Sequence, residues 1–247
     1  LLQRQGVLEI SNVLQEDDMF RKMDVTSSKT VFERNAIIAE QAVGILDKYA
    51  PEDKGMLDSF AGREILTVEQ YEANAGQHDE TMKKAYRLQE LAKQIGENSA
   101  VIPKLEQQME ALAPWKSFDL PLDFKGTKKS VAFIGSIQEE ISLEQLREQL
   151  GALAPEAETI DLNIVSSSKE QTCLFIVCAK GDADAVEDAL KKLNFVKPPL
   201  SSLVPAKRQQ QLEEELSKVK AEIAGAEKAI ADMAPDRDSI KFVMDYY

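Results

Sequence analysis

Chemically distinctive side chains are scarce in this chain. It has one histidine, one tryptophan and two cysteines among 247 residues. His78 has no cysteine near it in sequence and lies on an apolar helical stripe, so it reads as a packed residue before a metal ligand or a general base. Cys173 and Cys178 stand five apart on what reads as one strand, so their side chains point to opposite faces and cannot bridge each other. Two reduced thiols in a cytoplasmic protein is the plain reading. Long hydrophobic runs are missing too. No stretch of about 18 apolar residues occurs, so nothing in the chain reads as a membrane span. Positive charge is in deficit, with 30 Lys and Arg against 43 Asp and Glu, a formal charge of −13. Such a chain does not neutralise phosphates, which argues against nucleic-acid binding and against adsorption on an anionic bilayer.

Helical periodicity dominates what is there. Val68, Tyr71, Ala75, His78, Met82 and Ala85 recur at three- and four-residue steps, and Ile95, Ile102, Leu105, Met109 and Leu112 resume the pattern. After the middle of the chain, Leu212, Leu216, Val219, Ile223, Ala226, Ile230 and Met233 hold a seven-residue repeat that Ile240, Met244 and Tyr247 continue. That spacing keeps one narrow apolar seam turned to one partner helix. The two segments, Thr67–Leu112 and Pro205–Tyr247, would each reach roughly 65 Å as helices. Their matched lengths let each bury the seam of the other, antiparallel.

Local signals set the ends. Thr67 with Gln70 has capping-box spacing, as does Thr30 with Glu33 at the start of an earlier helix carrying Val31, Ile38, Ala42, Ile45 and Tyr49. Pro114 stops the first long segment, and Pro205 suits a first helical turn. Pro235 predicts a kink or break. Gly76 and Gly96 soften the first long segment at modest cost. Near the start, Leu1 to Gly6 reads as a helix end and Val7 to Ile10 as a strand, with a polar connection over 11–29. A strand alone makes no stable sheet, so a first lobe is expected to be incomplete in this chain. Met56, Leu57 and Phe60 lie in a loop between the first two helices and are expected to pack back on them.

Residues 118–204 read differently. Lys129–Gly135 is a strand, Ser142 and Gln145 cap a helix that buries Leu143, Leu146 and Leu150 and ends near Gly151, and Ile141 with Leu146 has the spacing of a hydrophobic staple. Ile160, Leu162 and Ile164 alternate with Asp161 and Asn163, the mark of a half-exposed strand. A turn follows at Ser166–Glu170. Cys173–Cys178 is apolar on both faces and so central. Asp182 caps a last helix with Val186, Leu190 and Leu193 inward, and Phe195-Val196 adds a short edge strand before two prolines. The order βαββα, with a final short strand, is that of a ferredoxin-like split βαβ lobe.

No constellation here reads as catalytic. Gly126-Thr127-Lys128-Lys129-Ser130 lacks the first glycine of a phosphate loop and precedes a strand, so it reads as a basic turn. Asp182 and Asp184 begin like a calcium loop but lack its glycine and terminal glutamate. Glu213-Glu214-Glu215 reads as a solvated face near a helix start. No cofactor or metal is implied. Trp115 and Phe118 read as a plug between helix and lobe, and Trp115 at a surface edge would anchor a partner. Lys169 and Glu170, at the hairpin turn, complete the candidate partner-binding set.

The segment Leu112-Ala113-Pro114-Trp115-Lys116-Ser117-Phe118-Asp119-Leu120-Pro121-Leu122, followed by the strand ending Gly135-Ser136-Ile137, resembles the arm-to-lobe junction of subunit I of bacterial and archaeal V-type ATPases, called subunit a in eukaryotes. Gly6-Val7-Leu8-Glu9-Ile10 is similar to that family's first lobe. The resemblance implies an α+β fold: a long antiparallel helical coiled coil of two to three helices, with a ferredoxin-like split βαβ lobe at its far end and part of a second α/β lobe at the other. It implies residues 1–29 as a fragment of the membrane-proximal lobe, 30–117 as the outgoing arm with a loop at 51–66, 118–204 as the distal lobe and 205–247 as the returning arm. It implies a non-catalytic stator portion at the cytoplasmic face of a membrane, with E/G peripheral stalk subunits and other subunits of the membrane sector as partners. The family's ion-translocating arginine lies in a membrane half that this sequence does not contain. Two other architectures share the plan: the arm and hinge of a chromosome-organising ATPase, and a helical arm of a larger enzyme such as one that grips transfer RNA.

Overall fold

The computed structural model describes residues 26–52 and 67–247. The expected first strand, the polar connection before Thr26 and the packing of Met56, Leu57 and Phe60 lie outside them. Within the described residues the elements run α1 (Thr26–Tyr49), α2 (Val68–Gly76), α3 (His78–Leu112), β1 (Ser130–Ile137), α4 (Leu143–Leu153), β2 (Ile160–Ser167), β3 (Thr172–Ala179), α5 (Ala183–Lys192), α6 (Pro205–Asp232) and α7 (Arg237–Tyr246). Short 3-10 turns precede α5, separate α6 from α7 and follow α3. The chain is mostly helical with one small antiparallel sheet, an α+β fold. It divides into two compact units, one ending at Lys93 and resuming at Glu227, the other spanning Gln94–Ala226.

In the second unit the sheet has the order β1-β3-β2, with both neighbours antiparallel. β1 and β2 are therefore parallel with β3 threaded between them, the split βαβ arrangement. β3 reads Thr-Cys-Leu-Phe-Ile-Val-Cys-Ala because both its faces are covered. On one face Leu174, Ile176 and Cys178 meet Phe133, Ile137 and Leu162, under Leu146 and Leu150 of α4 and Val186, Ala189 and Leu190 of α5. On the other, Cys173 and Ile134 pack with Trp115, Phe118 and Leu122 against Leu105 and Leu112 of α3 and Leu212 of α6. The sheet is the middle of three layers. Within this unit α3 and α6 lie side by side and antiparallel. Asn98 donates to Glu222 at 3.0 Å, Glu106 meets Lys220 at 3.9 Å, and Arg208 donates to Gln108 at 3.2 Å.

Several local expectations need correction. Phe195-Val196 contributes one bridge, Ser136 with Val196, and no strand, because Pro198 and Pro199 have no N–H with which to extend the ladder. Leu143 is 37% exposed, on the outer side of α4. The capping box at Ser142 and Gln145 forms, with bonds of 3.2 and 3.0 Å, and Ile141 and Leu146 share the core beneath it. Asp182 occupies the position before α5 yet makes no side-chain cap; its backbone is already helical because a 3-10 turn runs straight into the helix.

In the first unit the buried apolar side chains among the described residues come from α1 (Ile38, Ala39, Ala42, Leu46), α3 (Met82, Ala85, Leu88, Leu91), α6 (Ile230) and α7 (Ile240, Val243). The chain is already helical at Thr26, four residues before the expected cap, and Thr30 Oγ1 donates to the Thr26 carbonyl at 3.0 Å. Back-bonding of this kind lets threonine sit inside a helix. The single helix expected from Thr67 to Leu112 is two. The capping box at Thr67 opens α2, but α2 stops at Gly76 and α3 starts at His78. α2 buries no residue, so no packing offsets the glycine's cost there. Gly96, beside buried Ile95, stays helical. Val68 is 60% exposed and not part of a seam. Pro235 breaks the helix as its position implies, inside the 3-10 turn Ala234–Asp236. Beyond that turn Ile240 and Val243 are buried, while Met244 and Tyr247 are half-buried.

Candidate functional site

Trp115 closes the 3-10 turn at the end of α3, where Pro114 cannot continue the helix ladder. Its ring lies edge-on to Phe118 at 6.1 Å, and Phe118 meets Phe175 of β3 at 5.1 Å. Trp115 is 3% exposed, so its indole packs the joint between α3 and the sheet and presents no side-chain surface to a partner.

Lys169 and Glu170 sit at the β2–β3 turn and are exposed. Ser168 fixes that turn: its Oγ accepts from the N–H groups of Glu170 and Gln171 at 3.3 and 3.2 Å, and its own N–H donates to the Gln171 carbonyl at 2.8 Å. The hairpin therefore holds one positive and one negative side chain outward on a rigid base. Lys169 and Glu170 share one surface; buried Trp115 does not belong to it.

The basic turn before β1 is built around Gly126, whose φ of 107° favours glycine and whose added Cβ would fall 2.4 Å from the Ser130 carbonyl oxygen. Thr127 Oγ1 accepts from the N–H groups of Lys129 and Ser130, each at 3.3 Å. The amides that a phosphate would require are thus engaged by the turn's own hydroxyl. His78 has Nδ1 2.7 Å from the Ala75 carbonyl and Nε2 3.2 Å from Asp79, with its ring stacked on Tyr246 at 5.4 Å. Among the described residues no group of three or more His, Cys, Asp or Glu is placed to hold a metal ion.

Both thiols are buried, and burial pushes each above its ordinary pKa; a bond with Ser166 opposes this for Cys173, and the charge of Asp182 adds to it for Cys178. A group that holds its proton so firmly is a poor nucleophile at neutral pH. Burial also raises the Tyr247 phenol, against a hydrogen bond with Asn35. In the first unit α1 and α3 leave an open, largely apolar groove of about 480 Å³ lined by Thr30, Glu33, Arg34, Ile37, Ile38, Gln41, Tyr86 and Gln89.

Of the polar residues buried among the described ones, Thr172 and Arg237 are the most enclosed. Thr172 is fully buried; its Oγ1 donates to the Glu139 carbonyl at 2.8 Å and accepts from the Ile141 N–H at 3.1 Å, tying β3 to the loop before α4. Arg237 is 2% exposed and pairs with Asp47 and Glu52. It follows Ile230 by seven residues, so a charge on the seam was the available signal.

Neither a protein-family model nor a curated protein matches the chain. Solved structures do match. The crystal structure of the cytoplasmic N-terminal domain of subunit I, homolog of subunit a, of V-ATPase is similar over 92% of this chain and 72% of that one, with a TM-score of 0.51 and 13% identity. That likeness shows the fold. Among the described residues no helix is long and apolar enough to cross a membrane.

Proposed function

We propose that this chain is a stator element of a V-type rotary ATPase, the counterpart of the cytoplasmic portion of subunit I (subunit a in eukaryotes). The supporting observation is the fold likeness across 92% of the chain. A split βαβ lobe alone would say little, since that architecture hosts many functions. A lobe carried between two long helices, joined through the Pro114-Trp115 plug, is a more particular arrangement.

On this reading the chain does no chemistry. It works at the cytoplasmic face of the membrane and ties E/G peripheral stalks to the ion-translocating sector, so that torque is not lost while protons or sodium ions move. Residues 30–117 and 205–247 act as outgoing and returning arms zipped as a coiled coil, 118–204 as the distal lobe and 1–29 as part of the proximal one. Paired helices resist bending better than one, which is what a strut requires. The lobe meets a stalk through exposed surface that includes Lys169 and Glu170, with Trp115 stiffening the joint behind it.

The test is titration calorimetry of the whole chain with E/G dimers of V-type ATPases. Saturable binding near one dimer per chain is expected; no heat with any E/G dimer would remove the stator reading. Tight, salt-dependent binding of DNA or transfer RNA in a gel-shift assay would favour the hinge or enzyme-arm alternatives instead.

A further inference from the structure

A buried guanidinium is expensive unless its nitrogens have partners, and each nitrogen of Arg237 finds one in a single short stretch of chain. It is the first residue of α7, directly after the turn that Pro235 imposes. Its side chain donates to the Asp47 carboxylate and to the Ala50 carbonyl, and its Nε lies 3.2 Å from Glu52. Lys241, one helical turn later, reaches the same Glu52 at 3.7 Å. The acceptors all come from the last turn of α1 and the residues just after it. A positive charge at a helix N-terminus opposes the helix dipole, so α7 itself gains nothing from this arginine. The burial of so costly a group is explained by what it connects.

We propose that Arg237 is a latch, a positioning residue that fastens α7 to the end of α1 and so holds rigid a joint that Pro235 has cut in the α6–α7 backbone. With α6 ending at Asp232 and α7 starting at Arg237, the intrahelical ladder does not carry stiffness across the break. The latch replaces it with a fork of bonds to another helix. Ile240 and Val243 of α7 are also buried, so release would loosen α7 without unfolding α1. The carboxylates are the accessible half of the device, with Asp47 54% and Glu52 37% exposed beside an enclosed guanidinium. Salt therefore weakens the latch from the carboxylate side while the bond to the Ala50 carbonyl persists. This inference stands apart from the stator reading and survives its failure.

Amide hydrogen exchange on the whole chain tests it. In Arg237→Met, exchange of 238–246 and of 47–52 is expected to rise together by at least about ten-fold, while β1 and β3 keep their protection. Arg237→Lys, which keeps the charge but not the fork, is expected to behave like Arg237→Met. Asp47→Asn removes one exposed partner without emptying the site; it is expected to raise exchange in the same two segments by a smaller factor and to abolish their salt dependence in part. Unchanged exchange in α7 for both Asp47→Asn and Arg237→Lys, or a rise spread evenly over the lobe, would overturn the latch.

Discussion

Cys173 and Cys178 show how one residue type can hold two packing environments together. Each is buried against a different side of β3, one beside Trp115 and Phe118, the other under α4 and α5. Burial raises both thiols, and it raises Tyr247 as well. Folded groups that bind their protons more tightly than the unfolded chain contribute stability that is complete below the unfolded pKa and is lost as pH rises through the folded value. The denaturation midpoint is therefore expected to hold steady up to about pH 8 and to fall above it, as unfolding releases thiols and then a phenol that ionise more easily in water. Urea titrations between pH 7 and 11 check this, and Cys173→Ala with Cys178→Ala should flatten the alkaline decline while lowering stability at neutral pH. The same burial predicts slow alkylation of both thiols in the native state. Labelling as fast as a free thiol would contradict it.

At the scale of elements, signals that act over three or four residues are legible. The boxes at Thr67 and Ser142 form, and Pro235 breaks its helix. The box at Thr30 does not, since Thr30 already lies inside α1 and its hydroxyl bonds back to the Thr26 carbonyl. Gly76 ends a helix and Gly96 does not; burial of the flanking residues separates the two cases, and that burial depends on the fold. Pro103 lies exposed inside α3, where it cannot donate to the Ser99 carbonyl. Pro103→Ala restores that bond, and an increase in stability of about 1 to 3 kcal/mol is expected. A calorimetric melt reads it directly, and a lower Tm would mean that the proline sets a needed bend.

For the molecule as a whole, the sheet and its two faces are legible because β3 is apolar from Cys173 to Ala179 while β2 alternates. The ion pair at Arg237 is not, because Asp47 lies 190 residues away in sequence and no local pattern connects them. Nor could spacing show that Trp115 is enclosed, since a tryptophan after a proline suits a plug and a surface anchor equally. Partner choice belongs to this scale too. If the hairpin meets a peripheral stalk, exchanging its charges through Lys169→Glu with Glu170→Lys leaves the net charge at −13 but inverts the local field. Loss of about ten-fold in affinity for an E/G dimer is the expected result, within the range of a well-placed charge pair. Unaltered affinity would move the contact elsewhere on the lobe.

The single bridge between Ser136 and Val196 bears on how this protein behaves when crowded. An open sheet edge is a template on which another chain can add a strand. On the β1 side the template is occupied by Val196 and then terminated by Pro198 and Pro199, which cannot donate to an incoming strand. On the β2 side the ladder is interrupted by an irregularity between Ile164 and Ser166, and Asp161 and Asn163 face solvent. Neither border invites a neighbour. Pro198→Val with Pro199→Thr would restore two backbone donors beside Val196, and edge-to-edge association at high concentration is expected to rise, as light scattering would read.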